Sequence, residues 1–322
     1  MALPDQQARR QWRKGMRRQW RFESLCLKHS GQGLKRGVNA RLEAIFDNTS
    51  QLQRPGCYPD HERQMIDYDR LHAIIRAAGQ MALSLWPGHG HAPQVWEKTP
   101  GSPVSDADMA VDAFLKRELG ALLPSAGWLS EETVDHPERL ARGLCWLVDP
   151  IDGTRDFVNG RPGWAVSVAL ISERRPLIGV LSAPARGEYW CAIAGQGATR
   201  NATPIRASNR TALAGARVPT DALPPEDADL VMVDKPNSIA LRIAMVGADE
   251  ADLLATLRWG YEWDIAAATL IAREAGAAVS DAFGHPLAYN KRDPRAFGLL
   301  VTAPAIHAAA VERLAERAAK LA

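Results

Sequence analysis

The sequence predicts a layered α/β protein built in two parts behind a basic leader. Three observations carry this. Residues 65–123 place apolar side chains at helical spacing, residues 145–193 hold short apolar runs divided by tight turns, and helix and strand patterns alternate from residue 230 onward. A chain of 322 residues with 46% hydrophobic composition can bury cores for about two domains. That composition excludes a disordered or collagen-like chain.

Taken in order, Met65 to Leu85 carries Ile66, Leu71, Ile74, Ile75, Ala78 and Leu83 as one helix face, stopped by Pro87-Gly88. Ser105 to Leu123 repeats the pattern through Val111, Leu115, Leu119 and Leu122, and Pro124 ends it. Cys145–Val148 reads as a buried strand that delivers Asp149 at its carboxyl end. Trp164–Ile171, Leu177–Ser182 and Glu188–Ile193 follow as strands, and the short turns between them predict antiparallel hairpins. Gly195 to Arg210 reads as a connection, so subdomains 60–210 and 211–322 are expected. Strands at Leu230–Val233, Ala251–Thr256 and Gly298–Thr302 then alternate with helices at Ser238–Val246, Asp264–Ala275 and Ala305–Leu321.

Charge is unevenly spread. Residues 1–59 hold 12 basic and 4 acidic side chains, whereas the remainder is net acidic. The leader reads as a poorly ordered extension, or as a start assigned upstream of Met65. Its Arg pairs with Trp12 and Trp20 between them also suit an arm for nucleic acid or anionic lipid, which would allow peripheral association with the inner membrane face. No apolar run reaches 18 residues and no cleavable leader pattern is visible, so neither a membrane span nor secretion is expected. Cys26, Cys57, Cys145 and Cys191 are scattered without CxxC spacing, which indicates neither a zinc site nor a disulfide framework; a reducing cytoplasm is the default.

Chemistry concentrates in acidic clusters: Glu131-Glu132, Asp149-Pro150-Ile151-Asp152-Gly153-Thr154, Trp263-Asp264, and the weaker Asp106-Ala107-Asp108. Pro150 fixes one backbone angle and Gly153 permits an unusual one, so Asp149 and Asp152 can converge with the Ile151 carbonyl on one point. Oxygen-only ligands suit a hard cation such as Mg²⁺ and disfavour zinc. A short helix starting after Thr154 would aim N–H groups at the same point. The bland alternative is that Asp-Pro and Asp-Gly are turn dipeptides and the acids are solvated.

These residues, together with Ile265-Ala266-Ala267, Glu274-Ala275-Gly276, Lys98 and Ser102-Pro103-Val104-Ser105, resemble the inositol monophosphatase-like superfamily of Mg²⁺-dependent, lithium-sensitive phosphatases. The resemblance covers residues 65–310. It implies an αβαβα sandwich like that of fructose-1,6-bisphosphatase, with two or three Mg²⁺ ions held by Glu131, Asp149, the Ile151 carbonyl, Asp152 and Asp264. It implies that Asp108 orients the nucleophilic water, that Thr154 bonds to that water, and that Glu131 rather than Glu132 is the ligand. It further implies a small phosphorylated metabolite as substrate, with a homodimer common among related enzymes; no nucleic-acid partner is expected of the folded part.

Substrate-facing residues lean toward the 3′(2′),5′-bisphosphate nucleotidases of the bacterial sulfur-assimilation type. Arg155-Asp156-Phe157, Ser238-Ile239-Ala240-Leu241-Arg242, Arg258-Trp259-Gly260 and Pro286-Leu287-Ala288-Tyr289-Asn290 resemble that branch. A bisphosphate needs a cation for its second phosphate, and Arg242 and Arg258 are the candidates. Gly153, Thr154, Ser238 and Asp264 are expected to line the substrate, with Trp259 and Tyr261 available to stack on adenine. Asn159-Gly160-Arg161-Pro162 is instead closer to the inositol and histidinol phosphatases, which stay open as alternatives. A non-catalytic protein binding through its leader is the remote one.

Overall fold

The computed structural model describes residues 66–90, 94–99 and 102–322. The basic leader therefore lies outside the described residues. The side chain of Lys98 does too.

Helix α1 (Tyr68–Ser84) opens at Asp67, whose carboxylate accepts the Arg70 N–H at 3.0 Å. It buries Leu71, Ile74, Ile75, Ala78 and Ala82 along one face. Helix α2 (Asp106–Leu122) packs on it and buries Val111, Leu115 and Leu119. Both cover a seven-stranded sheet of order β3-β4-β5-β6-β7-β8-β9. Its strands are β3 (Gly127–Ser130), β4 (Leu144–Asp152), β5 (Ala165–Ser172), β6 (Arg175–Ala183), β7 (Glu188–Ile193), β8 (Ala198–Arg200) and β9 (Thr203–Pro204). β3 runs parallel to β4, and the other pairs are antiparallel, which for β5, β6 and β7 is what the short turns predicted.

The sheet is buried on both faces. Gly79 of α1 sits against Ser182 of β6, where an added Cβ would lie 2.2 Å from the hydroxyl. Gly179 of the same strand sits against Ala267, where a Cβ would lie 2.4 Å from the carbonyl oxygen. Residues an odd number apart on a strand point to opposite faces, so helices lie on both sides. The second helical layer is α4 (Ile239–Gly247) with α5 (Glu262–Glu274), both almost wholly buried. Short α3 (Thr154–Val158) follows β4.

Beyond α4 and α5 lies an antiparallel sheet of order β12-β14-β13, formed by β12 (Leu253–Tyr261), β13 (Ala278–Ser280) and β14 (Arg295–Thr302). Its alternation separates two cores. Leu254, Leu299 and Val301 join the main core, while Leu253 and Leu300 pack with Ala310 and Leu314 of α6 (His307–Leu321). The order helix, sheet, helix, sheet, helix is the αβαβα sandwich that the resemblance implied. Residue 210 falls in a stretch without helix or strand between β9 and β10 (Arg217–Pro219). The core does not divide there, because the main cluster runs from Ile66 to Val301.

Several elements escaped the sequence. The hairpin β1 (Val95–Thr99) with β2 (Ser102–Ser105), the edge strand β3, and β8 with β9 are too short or too polar to show a period. β12 continues through Arg258-Trp259-Gly260 to Tyr261, past the expected end at Thr256, after a register shift between Thr256 and Trp259.

A buried histidine makes the α6 layer sensitive to acid. His307 lies against Thr302 Oγ1 at 3.0 Å, and burial lowers its pKa to about 4 from an ordinary 6.5. The unfolded chain therefore binds more protons, and this contribution to stability is fully present above pH 6.5 and is lost as pH falls toward 4. It amounts to roughly 3 kcal/mol. We expect the melting temperature of His307→Leu to fall less between pH 7 and 4.5 than that of the native chain; parallel curves would refute this origin.

Candidate active site

The register of two parallel strands builds the centre of the site. Ser130 of β3 pairs with Val148 of β4, so the next residues, Glu131 and Asp149, emerge side by side. The Glu131 N–H donates to the Val148 carbonyl at 3.2 Å and extends that pairing. Asp264 arrives from the first turn of α5. One carboxylate oxygen each of Glu131, Asp149 and Asp264 lies within 4.8 Å of the other two.

This gathering is unfavourable as it stands. Burial first, then the negative charges of Glu131, Asp152 and their neighbours, holds Asp149 and Asp264 well above the usual carboxylate range. Asp149 and Asp264 form no ion pair among the described residues. Backbone groups hold them in place: the Ile151 N–H donates to Asp149 at 3.0 Å and the Tyr261 N–H to Asp264 at 3.1 Å. A donor set of three converging carboxylates, with oxygen atoms only, fits a hard divalent cation.

Asp108 and Thr154 stand together beside this triad. Asp108 is buried in the first turn of α2, where its Oδ2 accepts the backbone N–H of Ser105 at 2.8 Å and the Ser105 hydroxyl at 2.6 Å. Its Oδ1 lies 3.4 Å from Thr154 Oγ1. That hydroxyl sits closer to the Ile151 carbonyl, at 3.0 Å, and has a single proton to share between them. The expected short helix does begin at Thr154, but the N–H groups of Asp156 and Phe157 already donate to the Gly153 carbonyl.

Asp152 lies next to the triad rather than within it. Its carboxylate receives the Ser238 hydroxyl, the Ala240 N–H at 2.6 Å and the Ile239 N–H at 3.3 Å, all from the start of α4. Burial raises its pKa to about 6 against these hydrogen bonds. Ser238, expected to touch substrate, is fully buried and also caps α4 by accepting the Leu241 N–H at 2.9 Å. Gly153 makes this junction achievable. Its φ is +96°, and a Cβ would lie 2.7 Å from the Gly163 carbonyl and 2.9 Å from the Ser238 nitrogen.

The two candidate arginines differ. Arg242 is buried and donates to the carbonyls of Ser238, at 3.3 Å, and Asn237, at 3.2 Å. Burial, and then the charge of Arg258, lower its pKa. Arg242 thus braces the turn that holds Asp152. Arg258 is exposed, has no hydrogen bond or ion pair among the described residues, and shares a cavity of about 40 Å³ with Asp264. Other residues of the nucleotidase-like runs are structural. Asp156 ties Arg161 to the Asn237 N–H, Phe157 packs edge-on against Trp164, and buried Tyr289 bonds to Thr269 at 2.6 Å. Tyr261 stacks on Trp263 at 4.4 Å, while Trp259 lines a different cavity from Arg258.

Sequence reasoning missed the supports. Asp112 lies one turn beyond Asp108 on α2, buried, and accepts the hydroxyls of Ser130 and of Thr133, the latter at 2.6 Å. It therefore clamps both ends of the segment that carries Glu131. The only signal was acid spacing on α2, which equally describes a solvated face. Buried Glu262 accepts the N–H groups of Asn290 and Lys291, and Arg139 joins Asp135 to the same turn, so both secure the start of α5 near Asp264.

Asp112→Asn removes an acceptor from this clamp. We expect the divalent-cation concentration for half-maximal activity to rise about 10-fold while kcat at saturating cation changes little. Asp112→Glu should restore part of the loss. An unchanged cation dependence would show that the clamp does not position Glu131.

Comparison with known proteins agrees with this geometry. The family model described as the inositol monophosphatase family matches residues 67–321. The chain is 35% identical over 230 residues to a Streptomyces griseus protein named glucose-1-phosphate thymidylyltransferase, covering 66% of this chain and 85% of that one. It is 31% identical over 237 residues to the 3′(2′),5′-bisphosphate nucleotidase CysQ of Aggregatibacter actinomycetemcomitans, covering 69% of this chain and 88% of the relative. Among solved structures, an IMPase of Thermotoga maritima superposes with a TM-score of 0.68 at 27% identity, covering 79% of this chain and 100% of that one. With its fold, its carboxylate triad and nearly its whole described length accounted for, the chain belongs to the inositol monophosphatase family of phosphatases.

Proposed function

We propose that this phosphatase hydrolyses adenosine 3′(2′),5′-bisphosphate to AMP and phosphate with Mg²⁺ as its metal. The observation that carries the substrate reading is Arg258, an exposed guanidinium with no ion pair among the described residues, in the same cavity as Asp264. A bisphosphate brings a second anion to such a site, and a planar guanidinium can bind it through two hydrogen bonds. The similarity to a CysQ nucleotidase supports the same reading.

Glu131, Asp149 and Asp264 would hold the Mg²⁺ ions, with Asp152 and the Ile151 carbonyl beside them. When bound, the metal neutralises the phosphate, acidifies a water and stabilises the leaving oxygen. The protein's own groups do the rest. Thr154 Oγ1, held near Asp108 Oδ1, fixes the orientation of the attacking water. Asp108, anchored by Ser105, accepts its proton along that hydroxyl. The water oxygen bonds to phosphorus as the ester P–O bond breaks, the leaving alkoxide takes a proton from solvent water, and Asp108 returns its proton to solvent, so that one water is consumed per ester. Arg258 holds the remote phosphate.

Two results test the reading. Phosphate release should favour the bisphosphate over inositol 1-phosphate and histidinol phosphate by about 100-fold in kcat/KM, or ~2.7 kcal/mol. Arg258→Ala should raise KM for the bisphosphate and spare small monophosphates. If a monophosphate leads, the substrate assignment fails and the metal chemistry stands.

Protonation gives a separate test of the metal centre. Because Asp149 and Asp264 sit well above the usual carboxylate range, the metal-free protein retains protons that Mg²⁺ must displace. We expect Mg²⁺ binding at pH 6 to release protons, seen as a calorimetric enthalpy that varies with buffer, and to tighten as pH rises. Buffer-independent enthalpy would contradict the assignment.

A further inference from the structure

The Arg258-Trp259 pair serves two cavities. Arg258 lines the small one with Asp264. Trp259, 55% exposed, lines another of about 560 Å³, a volume typical of small-molecule sites. Along β12 the lining alternates: Thr256, Arg258 and Gly260 line the small cavity and Trp259 the large one, because successive residues of a strand point to opposite faces.

The floor of the larger cavity is aromatic. Trp259 lies 5.5 Å from Phe297, which lies 6.1 Å from Phe283, centroid to centroid. Exposed indole and phenyl faces in a concavity are suited to a flat ring. The rim is cationic. Arg295 is paired with Asp293 at 2.7 Å, and its guanidinium lies over the indole of Trp259. Lys291 is engaged by Glu262 and by the Arg295 carbonyl. Asp281, the other acid of the lining, is occupied by His285 and the turn that follows it. Arg174 and Arg292 remain, both exposed and with no side-chain hydrogen bond or ion pair among the described residues. Aromatic rings tilted against one another therefore face two guanidinium groups that are uncommitted among the described residues.

We propose that this cavity binds a nucleoside phosphate, its base against Trp259 and its phosphate on Arg174 and Arg292. The chemistry is that of base–aromatic stacking joined to an arginine anion site. The site needs no metal and does not depend on the bisphosphate reading of the active site.

The test uses the full chain and AMP in EDTA, where metal-dependent turnover is silent, followed by equilibrium dialysis. In the Arg258→Ala chain, which lacks the active-site contact to a remote phosphate, we expect one AMP per chain, weakened about 10-fold or more when Trp259→Ala or Arg292→Ala is added. Trp259→Phe should keep most of the affinity. All the replaced side chains are exposed, and melting curves check that the variants fold. Absence of AMP binding in EDTA would overturn the proposal. So would binding that survives Trp259→Ala but not Arg258→Ala, which would assign AMP to the metal cleft. Competition by inorganic phosphate as effective as by AMP would also overturn it, because the base would then contribute nothing.

Discussion

Like charges held close inside a protein dominate this molecule. Glu131, Asp149 and Asp264 come from three separate segments, and burial and repulsion make Asp149 and Asp264 less willing to ionise. Nothing in such a cluster stabilises the fold by itself. The surrounding structure must hold it open, and much of it does. Asp112 restrains the Glu131 segment through two hydroxyls, backbone N–H groups restrain Asp149 and Asp264, and the Glu262–Arg139 network fixes the turn against which α5 starts. A divalent cation converts that repulsion into binding energy.

Asp152 resolves its charge differently. Three donors at the start of α4 receive it, whereas Asp149 and Asp264 are each held by a backbone N–H. Buried Arg242 then holds the carbonyls of the same turn. One segment of β4 thus places two acids in opposite electrostatic circumstances within three residues.

The chemistry was more legible than its scaffolding. Asp149-Pro150-Ile151-Asp152-Gly153-Thr154 declared a kinked strand end, and the apolar run before it declared the strand, because both signals are local. Helices α1, α2 and α6 were visible through their one-sided burial. Contacts distant in sequence were not visible. Arg242 and Arg258 look alike on paper, and only packing commits one to backbone carbonyls. Asp112 reads as a surface acid until Ser130 and Thr133 are seen to meet it. Trp259 read as a partner of Arg258 because they are neighbours in sequence, although the strand sends them to separate cavities.

The position of α5 between two sheets also bears on how the chain is made. The strands of the large sheet are complete by Pro204, yet the face that carries Gly179 is covered by a helix that begins only at Glu262. On the ribosome, a fully pairable sheet must wait some sixty residues for its lid, with an apolar face open to other chains. Truncation before α5 would leave that surface permanently bare and would remove Asp264 with it. Solubility and catalysis are therefore secured by the same late helix.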